Sequence, residues 1–148
     1  MLVRTGVPGS DLALELTESL LMEDVQSCAR TLLSLKALGI RLIIDDFGMG
    51  YSSLSYLKQF PFDAVKVDRS FVDGLGIEDD DSALVAAIVA MAGALNLEAI
   101  AEGVETRDQL VLLQGLGCPQ AQGFYLAKPM PFAEMTRFVR RSHRWQMD

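Results

Sequence analysis

The sequence predicts a parallel α/β fold of the (β/α)-barrel type, on three observations. Short apolar strands alternate with helical segments five times, and the links between them are short, as right-handed strand–helix–strand crossovers require. Half of the 148 residues are hydrophobic and mean hydropathy is +0.24. That suits strands covered on both faces, or a chain that shares a larger core. Charged and amide side chains collect where the strands end, and in a barrel those ends share one face.

Residues 1–10 read as a stub of a helix and loop. Leu12 to Leu16 alternates as a strand and ends at Thr17-Glu18. Val25, Cys28, Leu32, Leu35 and Leu38 have helical spacing, closed by Gly39. Ile40 to Ile44 is the second strand, running into Asp45-Asp46 and a glycine-punctuated turn. Ser53 to Lys58 reads as a short helix before Phe60-Pro61, and Ala64 to Val67 as the third strand. Gly74 to Asp81 is a polar loop, after which Ser82 caps an apolar helix. The run Ala83 to Leu95 is too short to span a bilayer and reads as a buried helix. Leu97 to Ala101 is the fourth strand. Thr106-Arg107-Asp108-Gln109 is a capping box opening a helix to Leu116, with Gly117 past its end. Ala121 to Tyr125 is a fifth strand, Phe132 to Arg141 a last helix, and 142–148 a tail. No interior linker suggests a second domain.

Composition excludes several classes. With 13 basic and 20 acidic residues the net charge is −7, which argues against a broad nucleic-acid surface. Met1-Leu2-Val3-Arg4 does not read as a signal peptide, since no apolar core and cleavage site follow it, and two cysteines, Cys28 and Cys118, without metal spacing suggest a reducing cytoplasm. The one histidine, His143, lies in an arginine-rich tail, so acid–base chemistry falls to carboxylates or lysine. No G-x-G-x-x-G follows a strand, which weakens a dinucleotide-fold reading.

The strand ends deliver Glu15 and Glu18, Asp45 and Asp46, Lys66 and Asp68, Glu102 and Glu105, and Gln122. Taken singly, Glu18 and Glu105 read as caps or surface charges. Asp45, Asp46 and Glu102 each follow an apolar run, and two adjacent carboxylates at the edge of a core call for a compensating cation. Oxygen donors without thiolate or imidazole suit Mg²⁺ or Mn²⁺. Adjacent aspartates can bridge two ions about 3.5–4 Å apart, the arrangement used for in-line displacement at phosphorus. Lys66 would be costly buried alone, and a Schiff-base aldolase is a third, weaker reading of it.

Five stretches, in order and spacing, resemble the EAL domain, the cyclic-di-GMP phosphodiesterase family. They are Leu14-Glu15-Leu16-Thr17-Glu18; Asp45 to Lys58; Lys66-Val67-Asp68-Arg69-Ser70-Phe71-Val72; Ala101 to Thr106; and Gln122-Gly123-Phe124 with Pro129. The resemblance implies a (β/α)₈ barrel hydrolysing cyclic-di-GMP to linear pGpG with two Mg²⁺ or Mn²⁺ ions. By resemblance, Glu15 is a first-metal ligand, Asp45 bridges the metals and Asp46 holds the second. Lys66 contacts the nucleophilic water, Glu102 is the general base or a second-metal ligand, and Gln122 lines the site. Asp68 and Glu105 support it, and Glu18 anchors the loop after the aspartates. That loop (Phe47, Gly48, Gly50, Ser52, Ser53) is tied in the family to substrate, metal and dimerisation. Met49 stands where threonine is usual.

The family's Glu-Ala-Leu strand and the next strand, with its asparagine ligand, have no counterpart here, whereas such a barrel runs to about 250 residues. The expectation is therefore an incomplete barrel of about five C-terminal strand–helix units. It would lack two first-metal ligands, be unstable or self-associating alone, and have little activity; GGDEF or sensory domains would precede it in the parent protein. The alternative is a non-catalytic cyclic-di-GMP receptor or partner-binding remnant.

Overall fold

A computed structural model of the chain describes residues 2–17, 25–48, 57, 59–77 and 79–140. After a one-turn helix α1 (Leu2–Thr5) and a 3₁₀ turn at Gly9–Asp11, the order is β1 (Ala13–Thr17), α2 (Val25–Ala37), β2 (Arg41–Phe47), β3 (Ala64–Val67), α3 (Arg69–Asp73), α4 (Asp79–Ala94), β4 (Glu98–Ala101), α5 (Arg107–Gly115), β5 (Gln120–Ala121) and α6 (Phe132–Arg140). The strands form one parallel sheet in the order β1-β2-β3-β4-β5, as expected for successive units of a (β/α) barrel. Among the described residues no helix is long and apolar enough to cross a membrane.

Alternation along the strands divides the sheet into two unlike faces. On one face Leu42 and Ile44, Val65 and Val67, and Ala99 and Ala101 are buried against Leu32 of α2, Val72 of α3, Val85, Ile88 and Ala92 of α4, and Leu110 and Leu113 of α5. On the other face a small second cluster contains Ile43, Ala64 and Ile100. Two residues further along each of those strands stand Asp45, Lys66 and Glu102. The apolar trio is thus the floor beneath the charged groups.

The opposite ends of the strands are tied by ion pairs that leave the site free. Asp63 accepts from Lys36 Nζ at 2.6 and 2.8 Å and from the Leu42 amide at 2.8 Å. Glu98 accepts from Arg41 at 2.6 Å and also from Gln120.

Four expectations are corrected. The stretch read as a polar loop with a Ser82 cap contains the first turn of α4, which begins at Asp79. Acidic residues suit a helix N-terminus, and Ser82 lies inside the helix, accepting from the Gly76 amide at 3.5 Å. Helix α4 is buried along one face only, with Leu84 exposed. The fifth strand stops at Ala121, because Gly123 passes so close to Val104 that a Cβ there would lie 2.2 Å from the Val104 carbonyl oxygen. Finally, Phe47 is the last residue of β2 with its ring in the core, rather than a member of the loop. The expected helix from Ser53 to Lys58 falls outside the described residues, Leu57 apart, and so does the arginine-rich tail.

Candidate active site

The site is built where β1, β2, β3 and β4 end. Lys66, next to last in β3, has a side chain only 4% exposed, and its ammonium forms ion pairs with three carboxylates from three other places in the chain. These are Glu102 Oε2 at 2.8 Å, Asp45 Oδ1 at 2.9 Å and Glu15 Oε2 at 3.0 Å, with exposures of 35%, 22% and 45%. Sheet register brings them together: Glu15 pairs with Ile43, two residues before Asp45, and the Glu102 amide donates to Val67 O at 3.2 Å, extending the β3–β4 ladder by one step. Burial would lower the lysine pKa, but its interactions with the accepting carboxylates of Asp45, Glu102 and Glu15 outweigh it and push it above its ordinary value. Lys66 is therefore an ammonium and a donor. A free-amine nucleophile, as the aldolase reading needs, is not what this geometry provides.

Asp46 reaches the same region by a backbone irregularity. Ile44 pairs with Val65 and Phe47 with Val67, so Asp45 and Asp46 together stand opposite Lys66 alone. In a regular strand adjacent side chains point to opposite faces; an extra residue re-aims one of them. Asp46 supplies the bend with φ +55°, a left-handed conformation that aspartate tolerates better than most residues, and its amide donates to Asp45 Oδ1 at 3.1 Å. Desolvation and then the charges of Asp45, Asp68 and Glu102 push the Asp46 carboxyl above the usual range, with Lys66 opposing. The doubled aspartate is thus a register device as well as a pair of charges.

The supporting residues have definite places. Asp68 caps α3, accepting from the Ser70 amide at 2.9 Å and the Ser70 hydroxyl at 2.5 Å. Desolvation works against its ionisation, but those bonds and the nearby Lys66 charge outweigh it and hold the carboxyl below the usual range. Glu105 turns to Arg69, whose Nη2 donates at 2.7 Å. The exposed side chain of Gln122 lines an open groove of about 460 Å³ with Glu102, Arg69, Phe124 and Lys128. Lys128 Nζ stands 5.9 Å over the Phe124 ring. Gly48 turns the chain after β2 at φ +101°, where a Cβ would press on the Phe71 ring. Glu18, Gly50, Ser52 and Ser53 lie outside the described residues.

Sequence reasoning singled out no role for Arg69 and missed helix α3 and the reach of Gln109. Gln109 completes the expected capping box with Thr106 and also donates to Val72 O at 3.2 Å. The motif Asp68-Arg69-Ser70, a capping residue two before a serine, was the available sign of α3.

The donor set suits a hard divalent cation: four carboxylates, Glu15, Asp45, Asp46 and Glu102, with no sulfur or imidazole. Their surplus negative charge around one ammonium is what such an ion would offset.

The family model for the EAL domain matches residues 1–129. MucR of Pseudomonas aeruginosa, a bifunctional diguanylate cyclase/cyclic di-GMP phosphodiesterase, is 47% identical over 138 residues, 93% of this chain and 20% of that protein. The solved MucR phosphodiesterase in complex with c-di-GMP superposes with a TM-score of 0.86, covering 90% of this chain and 54% of that one. The EAL domain of Mycobacterium smegmatis DcpA gives 0.90 at 42% identity, over 97% of this chain and 64% of that one. Klebsiella pneumoniae BlrP1, in a manganese and cyclic-di-GMP complex, gives 0.77 at 35% identity, over 84% and 32%. The chain thus spans about a fifth of its full-length relative MucR and between about a third and two thirds of these solved chains. With the family model matching residues 1–129 and these solved EAL structures sharing the fold, the chain belongs to the EAL domain family.

Proposed function

We propose that this chain furnishes the carboxylate–lysine part of a centre that hydrolyses cyclic-di-GMP to linear pGpG with Mg²⁺ or Mn²⁺. The observation that carries the reading is the convergence of Glu15, Asp45 and Glu102 on buried Lys66. Glu15 and Asp45 would hold one ion, and Asp45, Asp46 and Glu102 the second. Bound there, the pair would supply an acidified water and neutralise charge at phosphorus. The expected setting is cytoplasmic, with pairing of two copies through the loop after Asp46.

Lys66 works as a fixed positive charge. An ammonium has three N–H donors, and three carboxylates crowd it within 3.0 Å. Contact with a water therefore needs one carboxylate to turn away. Glu15 is the most exposed of the three, so its release costs least. Glu102 accepts the proton of that water as its oxygen bonds to phosphorus. The bond from phosphorus to one ribose O3′ breaks, and that oxygen takes a proton from solvent. One water is consumed and the ring opens to pGpG.

The test is calorimetry of the 148-residue chain with cyclic-di-GMP in Ca²⁺, followed by assay for pGpG in Mn²⁺. Binding that Asp45→Asn weakens at least tenfold, and any pGpG formation that it removes, are expected. Dinucleotide binding or pGpG formation that Asp45→Asn leaves unchanged rejects the reading.

A further inference from the structure

The turn after β4 carries Glu102 and is fixed from several sides. The Val104 amide donates to Gln122 O at 3.0 Å and Val104 O accepts from the Tyr125 amide at 2.9 Å. The amides of Glu105 and Thr106 donate to Gln109 Oε1 at 2.8 and 3.0 Å. The remaining tie is ionic and comes from Arg69, the first residue of α3. Arg69 Nε donates to Asp73 Oδ2 at 3.1 Å and Nη2 to Glu105 Oε1 at 2.7 Å. Its aliphatic stem crosses Gly103, where a Cβ would lie 2.4 Å from Arg69 Cγ. Gly103 holds φ +80°, so it reverses the chain and leaves room for the arginine at once. One side chain, three positions after Lys66, thus grips the Glu102–Glu105 turn at its reversal and at its far end.

We propose that Arg69 is a positioning residue that holds the Glu102 carboxylate against Lys66 by latching this turn to the start of α3. The proposal rests on the reading of Glu102 as a member of the metal and proton-accepting centre. Arg69 is 51% exposed, and pairs so exposed add little to folding stability. Groups hydrogen-bonded directly to a metal ligand commonly change metal affinity about 10–100-fold when removed; Arg69 bonds Glu105, one step further out, so the low end of that range is expected.

Charge and position predict opposite signs, which makes the test sharp. Arg69→Gln removes a positive charge beside an acidic centre, so electrostatics alone would tighten Mn²⁺ binding. The latch predicts about tenfold weaker Mn²⁺ binding by calorimetry, with the melting temperature hardly moved and Arg69→Lys recovering part of the loss. The charge-conserving double variant Arg69→Gln/Glu105→Gln is expected to bind Mn²⁺ no more weakly than Arg69→Gln. Unchanged or tighter binding in Arg69→Gln, a fall in melting temperature without a fall in affinity, or additive losses in the double variant each overturn the latch and leave the metal centre standing. A wild-type chain that binds no Mn²⁺ removes both.

Discussion

Lys66 Nζ and Asp45 Oδ1 meet at 2.9 Å at the point where the β2–β3 register slips, so that one lysine of β3 faces two aspartates of β2. Register and charge are therefore one problem in this chain. The bulge that lets Asp46 join Asp45 also sets two like charges side by side, and Lys66, held by carboxylates from β1, β2 and the end of β4, is the group that makes the arrangement tolerable.

The bulge and the charge at Asp46 can be separated. Asparagine tolerates the left-handed conformation about as well as aspartate, so Asp46→Asn should keep the register and relieve repulsion. Its melting temperature should equal or exceed that of the wild type while Mn²⁺ binding falls at least tenfold. Asp46→Ala keeps neither feature and should lose about 1 kcal/mol in addition. Urea denaturation beside calorimetry distinguishes these outcomes. An Asn variant that binds Mn²⁺ normally would show that Asp46 serves the bulge alone.

Lys66→Met should be destabilising although it buries an apolar side chain, because three carboxylates lose their common partner. Breaking a fully buried pair costs about 3–5 kcal/mol; partners this exposed bring the expectation to about 2–3 kcal/mol at pH 7. The sign with pH follows from the raised lysine pKa. A raised value means the ammonium's contribution is fully present below its ordinary value near 10.5 and fades as pH rises through the higher folded value. The gap between wild type and variant should thus be flat from pH 7 to 10 and close only in strong alkali. A gap that closes below pH 9 contradicts the assignment.

Much of this site is legible because strands alternate. Ile43 and Asp45, Ala64 and Lys66, and Ile100 and Glu102 are pairs two apart, so the sequence alone puts the three charges on one face. The bulge was not legible: it turns on the φ of Asp46, and no glycine marks the place. Helix α3 spans only Arg69–Asp73, too short for a 3.6-residue period to show. The fifth strand was overread because strand-favouring aromatics, Phe124 and Tyr125, follow Ala121, while the chain is turned at Gly123 by contact with Val104, a constraint between residues far apart in sequence. The latch is hidden for the same reason, since Arg69 and Glu105 belong to different strand–helix units.

Gly123→Ala tests that last contact. The added methyl would meet Val104 backbone N and O at 2.3 and 2.2 Å, and backbone cannot yield as a flexible side chain can. A loss of about 2–3 kcal/mol is expected from overpacking, with weaker Mn²⁺ binding, because Val104 sits in the turn that carries Glu102. Gly115→Ala, where a Cβ meets nothing within 4 Å, is the control and should be neutral or slightly stabilising in its helix. Equal stability of the two variants would show that the segment after β5 moves away at little cost.

Asp63 should carry the stability of the opposite end of the sheet without affecting the chemistry. Desolvation would raise its pKa, but the Lys36 ammonium, the Leu42 amide and the Arg41 charge outweigh that and hold it below the usual range. A depressed folded value means that the stabilisation is present above the ordinary value near 3.8 and is lost as pH falls through the folded value. Asp63→Asn should therefore cost about 1–2 kcal/mol at pH 7, in keeping with hydrogen bonds to a charged group that is one-third exposed. The difference from wild type should begin to shrink below about pH 4, as the wild-type carboxyl itself takes a proton. Mn²⁺ affinity should not change, because Asp63 lies just before β3, at the end remote from Lys66. Denaturation curves at pH 7 and pH 3, with Mn²⁺ calorimetry at pH 7, check all three statements; a variant that loses metal binding while keeping its stability would place Asp63 with the site instead of with the frame.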